Sequence, residues 1–450
     1  MREHRLAAVV PTLNEAAAIG NVVRGLRAAG ACCVLVVDGG STDGSREAAH
    51  DAGAIVVPEP RPGYGRACLT GTEAAAGHEL VAFLDGDGSC DPAELRLLER
   101  AAASTRADLV LGRREHVQAG ALPWHARLGN RLVAAILRAR TSRPVHDVPP
   151  FKLVRADALA ALGLSEAGYG WTVQLIGRAL AHPALKVLEV PVRFRRRKGG
   201  VSKVSGRLVP SLRAARAMAA GAWSATRRRG LLVLMAKAPC AGHSKTRLEA
   251  DLGPALATSF WAACLCDAGA RLRQVASATG LYAAAMTPSP DDAVEVRRLI
   301  GVPALPQRRP GLGEALLEVS ELPAPFTVAI SADVPTLPQV LVLAALGALR
   351  RRPAVLGTCP DGGYYLVGLR RRLPRRRRER AYLKAPMGTA SVLEHTRTAF
   401  GDVALLPAWP DVDSVKDLYE LAEKLIRDPE AAPAISAWLR DHGIRAQEAG

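Results

Sequence analysis

Apolar residues along this chain recur in short runs, and most runs are followed by a polar loop and then by a stretch with helical spacing. The runs occupy residues 6–10, 34–37, 55–57, 80–84 and 108–112, and the helical stretches lie at 19–29, at 44–52 and after residue 92. Unbroken Val, Leu and Ile runs are typical of strands buried in a parallel sheet. Strands that alternate with helices predict a doubly wound α/β fold.

Two of these runs stop at acidic residues. Asp38 follows the run at 34–37, and Asp85 and Asp87 follow the run at 80–84. In such sheets the ligands collect at the carboxyl ends of the strands. Carboxylates placed there suit a nucleotide with its divalent cation, because Mg²⁺ is held by one or two carboxylates together with substrate phosphates. The pattern therefore predicts a site for a nucleotide with Mg²⁺ or Mn²⁺ at this edge.

The same pattern begins again in the second half of the chain. LLVLMAKAP at 231–239 reads as a new first strand, and FTVAISADVP at 326–335 is another strand that ends in an acid, Asp333. We therefore predict one domain at 1–205, a basic helical linker at 206–230, a second domain at 231–428, and a C-terminal helix and tail at 429–450. The arginine-rich cluster at 370–380 predicts a surface loop.

Composition limits the classes of function. The chain has 450 residues and a formal net charge of +17, which implies anionic partners. Aromatic residues make up only 4%, so the stacking surface of a nucleic-acid binder is poorly supplied. Eight cysteines occur without metal-binding spacing, which predicts free, buried thiols in a reducing cytosol. No run reaches the ~18 apolar residues that a membrane-spanning helix needs.

Residues 1–205 resemble the family 2 glycosyltransferases of GT-A fold, and among these the polyprenyl-phosphate and dolichyl-phosphate sugar synthases. The resemblance rests on motifs that occur in order along the chain: PTLNEA, VVDGGSTDGS, PGYGRACLTG, FLDGDGSCDP, LVLGRR, HDVPPFKLVRADAL and EVPVRFRRRKGGVSKVSG. The fold that this implies is a Rossmann-like α/β domain with a mostly parallel central sheet. The implied reaction is transfer of a sugar, with inversion, from a nucleotide diphosphate sugar.

The resemblance assigns the donor side of the site. It implies that Pro11 and Glu15 line the nucleotide pocket and that Asp38 hydrogen-bonds the base. Asp85 and Asp87 would hold the metal and the diphosphate. A different interpretation stays open for each acid, because aspartates in such loops also shape turns.

The resemblance also assigns the acceptor side. Arg114 would neutralise charge near the transferring phosphates, while Arg197, Ser202 and Lys203 would grip the phosphate of the acceptor, with polyprenyl phosphate as the expected class. Arginine makes bidentate phosphate contacts and lysine acts as a point charge. A phosphate acceptor is already an anion and needs no general base. For Lys152, an exposed charge and a phosphate contact both stay open.

Residues 231–428 resemble the DUF2064 proteins, which share the GT-A-type sheet with nucleotidyltransferases. The motifs are MAKAPCAGHSKTRL, SADVPTL, CPDGGYYLVGL, GTASVLEHT and DVDSVKDL. The candidate nucleotide and metal residues of this half are Lys245, Arg247, Asp333, Asp361, Asp411 and Asp413. Alternatively, the two basic residues belong to a basic surface, and Asp413 caps the helix that follows it.

The leading hypothesis is a cytoplasmic enzyme with two GT-A-type domains and no nucleic-acid partner. Peripheral contact with the inner face of the membrane stays open, since the acid-free stretch 190–248 could meet anionic lipid. The helical face around Trp223 could equally pack between the domains. A rival hypothesis makes the C-terminal half the main catalyst, a nucleotidyltransferase that produces an activated donor. A nucleic-acid-binding role is the third hypothesis.

Overall fold

The computed structural model describes residues 5–198 and 218–444, and the chain divides into two compact units, 1–227 and 228–450. The division falls within the predicted linker at 206–230. Two predicted site residues, Ser202 and Lys203, lie outside the described residues, as do residues 206–217 of that linker. The domain boundaries stay a prediction.

The N-terminal unit is built on one seven-stranded sheet with the order β3-β2-β1-β4-β6-β5-β7. Neighbouring strands are parallel except at β6, which runs antiparallel to β4 and to β5. The strands are β1 (Leu6–Thr12), β2 (Cys33–Asp38), β3 (Ile55–Pro58), β4 (Leu80–Phe83), β5 (Leu109–Val117), β6 (Lys152–Arg155) and β7 (Val187–Phe194).

Helices and a short 3₁₀ turn at Pro92–Glu94 accompany these strands. The helices are α1 (Ala16–Ala28), α2 (Ser45–Asp51), α3 (Tyr64–Ala74), α4 (Leu95–Thr105), α5 (Trp124–Thr141), α6 (Ala156–Ala161) and α7 (Gly170–Ala181). A further helical stretch covers 218–225. Apolar residues of the central strands are buried on both faces of the sheet, in two separate clusters of the hydrophobic core. Burial on both faces explains why these strands are unbroken apolar runs.

The C-terminal unit has a second seven-stranded sheet with the order β10-β9-β8-β11-β13-β12-β14. Its strands are β8 (Leu231–Met235), β9 (Tyr282–Thr287), β10 (Ala304–Pro306), β11 (Phe326–Ser331), β12 (Ala354–Thr358), β13 (Tyr364–Arg370) and β14 (Val403–Leu406). Its helices are α8 (Thr246–Leu252), α9 (Pro254–Thr279), α10 (Pro290–Ile300), α11 (Leu312–Glu321), α12 (Gln339–Ala348), α13 (Arg375–Leu383), α14 (Val392–Phe400), α15 (Val415–Arg427) and α16 (Pro433–Asp441), with a 3₁₀ turn at Pro429–Ala431.

The two sheets share one topology. Numbered within its own unit, each follows the strand order 3-2-1-4-6-5-7, with the sixth strand antiparallel to both neighbours. The prediction of two α/β units of GT-A type with mostly parallel sheets is confirmed. Strand β11, which precedes Asp333, occupies the same place in its sheet as β4, which precedes Asp85.

The predicted surface loop at 370–380 is wrong for its second half, because α13 begins at Arg375. Pro374 immediately precedes this helix, where its fixed φ suits a helix start. Arg375 and Glu379 then form an ion pair at i,i+4 spacing along one side of the helix. The run of arginines is therefore a solvated helix.

The cysteines are unpaired, as predicted, although Cys32 and Cys240 are exposed and not all of the thiols are buried. Within residues 5–198 and 218–444, each helix is too short or too polar to span a bilayer. The C-terminal helix α16 buries Ile435 and Trp438 against the core of its unit.

Candidate active site

The N-terminal unit contains a cavity of about 1070 Å³ along the carboxyl ends of its strands. Six of the predicted site residues line it: Pro11, Glu15, Asp85, Asp87, Arg114 and Arg197. These residues come from four separate stretches of the sequence, so the cavity joins the proposed donor and acceptor sides in one space. Cavities in open α/β sheets lie at this edge, where strand ends leave a crevice.

The register of β1 against β4 explains how two of these stretches meet. Val9 in β1 is paired with Phe83, the last residue of β4, so Pro11 and Asp85 leave the sheet side by side. Gly86 lies between the two acids and is held against β1. A Cβ atom at this position would come within 2.8 Å of the Thr12 hydroxyl, so only glycine allows this approach.

Asp85 is the buried member of the acidic pair. Its Oδ1 accepts a hydrogen bond of 3.1 Å from the Tyr64 hydroxyl. Burial, and then the negative charge of Asp87, raise the pKa of Asp85 to about 6, while the cation of Lys152 and the Tyr64 hydrogen bond act in the opposite direction. Two adjacent carboxylates with this repulsion form a site that a cation would stabilise.

Asp87 is bound by Arg197, which lies in the loop after β7. Its Oδ2 accepts a hydrogen bond of 2.9 Å from Nη2 of Arg197, and the same nitrogen donates to Glu15 over 3.1 Å. Its Oδ1 accepts from the backbone N–H of Ser89. Arg197, predicted as an acceptor-phosphate residue, thus lies against the donor-side acids. Its guanidinium links two residues that are both assigned to the donor side, Glu15 and Asp87.

Arg114 makes a bidentate ion pair with Asp147. Its Nε and Nη2 donate to the two carboxylate oxygens over 2.8 and 2.6 Å, and both side chains are largely buried. Burial disfavours the charge of Asp147, but the Arg114 bonds outweigh this effect and lower the pKa of the carboxyl. The pairing fixes the guanidinium in the cavity wall.

Lys152 is fully buried, so an exposed charge at this position is wrong. It lies on β6 between β4 and β5, and its Nζ donates to the Thr172 hydroxyl over 3.0 Å. The ammonium also lies 5.2 Å from the centroid of the Trp171 ring. Burial lowers the pKa of Lys152, and the nearby Cys68 thiol and Asp85 carboxyl oppose that shift. Sequence reasoning missed this internal cation because the burial depends on the antiparallel placement of β6.

Asp38 is buried under its own loop. Its carboxylate accepts hydrogen bonds from the backbone N–H groups of Gly40 and Ser41 and from Nε of Arg46. Burial disfavours its charge, but these bonds outweigh it and lower the pKa. The arrangement is that of an Asx turn, the alternative left open by the sequence. Asp38 does not line the cavity among the described residues, and its contact with a base stays a prediction.

Tyrosines of the cavity were missed by sequence reasoning. Tyr64 and Tyr169 both line it, and their rings stack with centroids 6.2 Å apart. Tyr64 belongs to the PGYG motif, but a loop motif does not show where its side chain points. Both pKa values are raised above the ordinary value, mainly by burial.

The chemistry of the donor set fits a hard divalent cation. Asp85 and Asp87 supply carboxylate oxygens at one strand end, and the mutual repulsion of these acids favours a bound positive charge. Glu15 lies near this pair, since its carboxylate accepts a hydrogen bond from the same Arg197 nitrogen as Asp87. Mg²⁺ and Mn²⁺ both accept such oxygen ligands.

In the C-terminal unit, the predicted residues also converge. Lys245 is nearly buried, and its Nζ bonds to the Asp333 carboxylate, to Asp413 Oδ1 over 2.8 Å and to the Val412 carbonyl. Its backbone has φ 55°, a left-handed conformation that a non-glycine residue rarely adopts. Such strain is common at functional sites and directs attention to this lysine.

Other predicted residues of this unit lie nearby. Nη1 of Arg247 is 3.9 Å from Oδ2 of Asp413. Asp361 and Asp411 lie together with Cys359, a residue that the sequence analysis missed, and one ligand atom of each lies within 4.8 Å of the others. Burial, and then the charges of Asp413 and Asp361, raise the pKa of Asp411 to about 6.

The helix cap predicted as the alternative role of Asp413 belongs to its neighbour. Ser414 is the N-cap of α15, and its side chain and that of Asp417 form a capping box. Asp413 is therefore free of capping and faces Lys245 instead.

Comparison with known families matches both halves of the chain. The family described as Glycosyl transferase family 2 matches residues 7–163. The family described as an uncharacterized protein conserved in bacteria, DUF2064, matches residues 268–389.

Several curated proteins are similar to the N-terminal half. An uncharacterized glycosyltransferase of Mycobacterium tuberculosis is 41% identical over 204 residues, which is 45% of this chain and 91% of that protein. Polyprenol monophosphomannose synthase of Mycolicibacterium smegmatis is 32% identical over 221 residues, covering 45% of this chain and 82% of that protein. Undecaprenyl-phosphate mannosyltransferase of Micrococcus luteus is also 32% identical, over 46% of this chain and 89% of its own length.

Solved structures show a more distant similarity. A putative nucleotide-diphospho-sugar transferase from Desulfovibrio desulfuricans is 25% identical with a TM-score of 0.42, over 48% of this chain and 95% of that chain. Glucosyl-3-phosphoglycerate synthase from Mycobacterium tuberculosis was solved with Mn²⁺, UDP-glucose and phosphoglyceric acid. It is 22% identical with a TM-score of 0.40, and the match covers 50% of this chain and 80% of that chain.

Proposed function

Because this chain belongs to glycosyl transferase family 2, we propose that its N-terminal unit moves a sugar, with inversion, from a nucleotide diphosphate sugar to a polyprenyl phosphate acceptor. Its family membership confirms the resemblance predicted from the motifs, and with it the prediction of a glycosyltransferase. Two relatives are named as enzymes of polyprenol phosphate or undecaprenyl phosphate mannosylation. One observation carries the proposal: Asp85, Asp87 and Arg197 converge in a single cavity.

The donor side is built from the strand-end acids. Asp85 and Asp87 would hold Mg²⁺ or Mn²⁺, and the bound ion would offset the negative charge that grows on the leaving nucleoside diphosphate. Pro11 and Glu15 border the same cavity, where a nucleotide could lie against the end of β1. Tyr64 fixes Asp85 through its hydroxyl and so orients one carboxylate of the pair.

The acceptor side would be built from one basic residue within β5, Arg114, and from basic residues that follow β7. Arg197 would exchange its carboxylate partners for an acceptor phosphate, because one nitrogen of its guanidinium bonds both Glu15 and Asp87 and the residue lines the cavity. Ser202 and Lys203 follow it in the sequence and are proposed for the same phosphate. The acceptor oxygen is already anionic, so the reaction needs no proton acceptor at the attacking atom.

Arg114 would stabilise charge near the transferring phosphates from a fixed position. Its pairing with Asp147 holds the guanidinium rigid, and the side chain still lines the cavity. A preorganised cation of this kind stabilises developing charge without reorganising at the moment of reaction.

For the C-terminal unit, a second candidate function is nucleotide and metal binding of the nucleotidyltransferase type. The observation that favours it is the meeting of Lys245 with Asp333 and Asp413, which come from distant parts of the chain. In this hypothesis Lys245 leaves its carboxylate partners to bind a phosphate, and those acids then hold the cation. The unit would supply or handle the activated donor.

The enzyme would work in the cytoplasm, at the membrane surface where a carrier lipid is found. A thermal-shift screen of the full chain tests the site. We expect a nucleotide diphosphate sugar with Mn²⁺ to stabilise the wild type and Asp333→Asn, but not Asp87→Asn. Stabilisation that depends on Asp333 and not on Asp87 would favour the nucleotidyltransferase hypothesis instead.

A further inference from the structure

A buried thiol in the C-terminal unit lies beside two carboxylates. Cys359 directly follows β12, Asp361 lies two residues later in the turn before β13, and Asp411 lies in the segment after β14. The sulfur of Cys359 and one carboxylate oxygen of each aspartate all lie within 4.8 Å of one another. Within residues 5–198 and 218–444, no other three side chains of His, Cys, Asp or Glu come together in this way. The group therefore combines one sulfur and two oxygen ligands at one place.

These three side chains have few partners of their own. Cys359 is only 8% exposed, and its sulfur forms no hydrogen bond in the part of the chain that the structure describes. Among the same residues, neither Asp361 nor Asp411 forms an ion pair, and the 2.9 Å bond that Asp361 accepts from the Gly363 N–H lies within its own turn. A buried polar group without a partner is unusual, because nothing compensates for its lost hydration. A thiol in this state, aimed at two carboxylates, indicates a bound cation.

Backbone hydrogen bonds hold the ligands in place. The N–H of Cys359 donates to the Gly363 carbonyl over 3.0 Å and so fixes the turn between β12 and β13. The N–H of Trp409 donates to the Thr358 carbonyl over 2.9 Å, which joins the segment that carries Asp411 to the end of β12. Because the backbone sets these positions, the three ligands are preorganised for an ion.

The group adjoins the Lys245 cluster but does not share its acids. Val412 lies between Asp411 and Asp413, and its carbonyl accepts a hydrogen bond from Lys245. Asp413 bonds to Lys245 over 2.8 Å, as Asp333 also does, whereas Asp411 lies with the thiol. The two acids of the DVD motif thus belong to neighbouring sites. The ammonium balances charge in one of these sites and leaves the other without a cation of its own.

We propose that Cys359, Asp361 and Asp411 form a site for Zn²⁺ or a similar borderline divalent ion, separate from the oxygen site at Asp85 and Asp87. Zn²⁺ accepts sulfur at about 2.3 Å together with carboxylate oxygen at about 2.1 Å, whereas Mg²⁺ takes oxygen ligands. A tetrahedral ion with such bonds separates its ligand atoms by roughly 3.5 Å, so small side-chain rotations would close the site. The thiol would release its proton to solvent when the ion binds.

Three protein ligands leave one position of a tetrahedral ion open for water or for a phosphate oxygen. Only the phosphate ligand rests on the nucleotide binding proposed for this unit, because the ion itself needs no nucleotide. The inference thus adds a second kind of metal to the chain, chosen by a thiolate and not by oxygen alone.

The test is titration of the metal-free full chain with Co²⁺, a spectroscopic substitute for Zn²⁺. Co²⁺ bound to a thiolate gives a sulfur-to-metal charge-transfer band in the near ultraviolet, which oxygen ligands do not give. We expect this band in wild type, its loss when Zn²⁺ is added, and its absence in Cys359→Ser. The matched control is Cys266→Ser, which removes a partly buried thiol of α9 in the same unit and should keep the band.

The two aspartates are tested by competition for Zn²⁺ with a chelator. Asp361→Asn/Asp411→Asn should bind Zn²⁺ at least about a hundredfold more weakly than wild type. Asp251→Asn/Asp441→Asn loses the same charge at two exposed positions of this unit and should bind like wild type. Circular dichroism of the metal-free proteins shows whether each variant is folded, and the aspartate variant decides the matter if Cys359→Ser is not.

A further variant separates this site from the proposed glycosyl transfer. Asp87→Asn should lose the stabilisation by nucleotide sugar with Mn²⁺ and keep the Co²⁺ charge-transfer band, and Cys359→Ser should show the reverse. The proposal would be overturned if wild type gave no such band, or if folded Cys359→Ser kept it. Equal Zn²⁺ affinity of wild type and Asp361→Asn/Asp411→Asn would overturn it as well.

Discussion

Nη2 of Arg197 donates a 2.9 Å hydrogen bond to the Asp87 carboxylate, although the two residues are 110 positions apart in the chain. The loop after β7 carries Arg197 across the end of β4, and a second bond from the same nitrogen reaches Glu15. A side-chain cation thus lies among the acids proposed for a metal ion. Binding of a divalent cation at Asp87 would compete with this bond and release Arg197 toward the acceptor.

The first prediction follows from that competition. Arg197→Met should bind Mn²⁺ severalfold more tightly than wild type, because the competing guanidinium is gone, as isothermal titration calorimetry would measure. At the same time kcat/KM for the phosphorylated acceptor should fall about a hundredfold, because an anionic acceptor loses its charge partner.

Arg193→Met is the control for this experiment, since it removes an exposed arginine of β7 that does not line the cavity. It should behave like wild type in both measurements. Weaker Mn²⁺ binding in Arg197→Met, with an unchanged acceptor KM, would show that Arg197 supports the donor side only.

The second prediction concerns the buried Arg114–Asp147 pair. Arg114→Met should lower the free energy of unfolding of the N-terminal unit by about 3 kcal/mol, because it leaves the Asp147 charge buried without its partner. Chemical denaturation followed by circular dichroism would measure this loss. Arg113→Met removes only the exposed pair with Glu115 and should cost less than about 1 kcal/mol.

The pH dependence of this loss gives a further check. The pKa of Asp147 is lowered by Arg114, so the contribution of the pair is present at neutral pH and disappears as the pH falls through that lowered value. The difference between Arg114→Met and wild type should therefore shrink in acid. A difference that stays constant at low pH would mean that lost packing, and not the ion pair, causes it.

The third prediction concerns Asp411, whose pKa is raised to about 6. A carboxyl whose pKa is raised in the folded state lowers the stability of that state when it ionises. The full loss of stability is present above the raised pKa, and no loss is present below the ordinary pKa of about 4. Asp411→Asn should therefore stabilise the protein above pH 6 by about 1 kcal/mol, since solvent screens the partly exposed site. Thermal melts across this pH range would measure the gain, which should vanish toward pH ~4. A gain that is independent of pH would contradict an electrostatic origin.

Much of the N-terminal site could be predicted because its signals are local. An apolar run that stops at Asp85 places an acid at a strand end without any tertiary information. The repeat of that pattern before Asp333 likewise predicts the second sheet, whose strand order is the same. The assignment of Arg197 and Asp87 to one site came from the resemblance to a known family and not from spacing, and the hydrogen bond between them was not predicted.

The features of the fold and of the site that could not be predicted from the sequence depend mostly on long-range packing. The burial of Lys152 follows from the position of β6 between two strands, which local patterns do not specify. Cys359 joins Asp361 and Asp411 only because β12 and β14 are neighbours in the sheet. The pattern predicts a loop where a helix begins at Arg375, because a dense run of charge hides helical periodicity.

The most direct test of the proposed function is transfer of a radiolabelled sugar by the full chain to polyprenyl phosphate in detergent. A panel of nucleotide diphosphate sugars would be supplied with Mn²⁺ or with EDTA. Wild type, Asp87→Asn, Asp333→Asn and Asp91→Asn would be compared; Asp91 caps the 3₁₀ turn after the strand-end acids and does not line the cavity. We predict lipid-extractable product with Mn²⁺ for wild type, Asp333→Asn and Asp91→Asn, and a fall of at least about a hundredfold for Asp87→Asn and in EDTA. Product formation that is undiminished in Asp87→Asn, or that requires Asp333 in its place, would contradict the account.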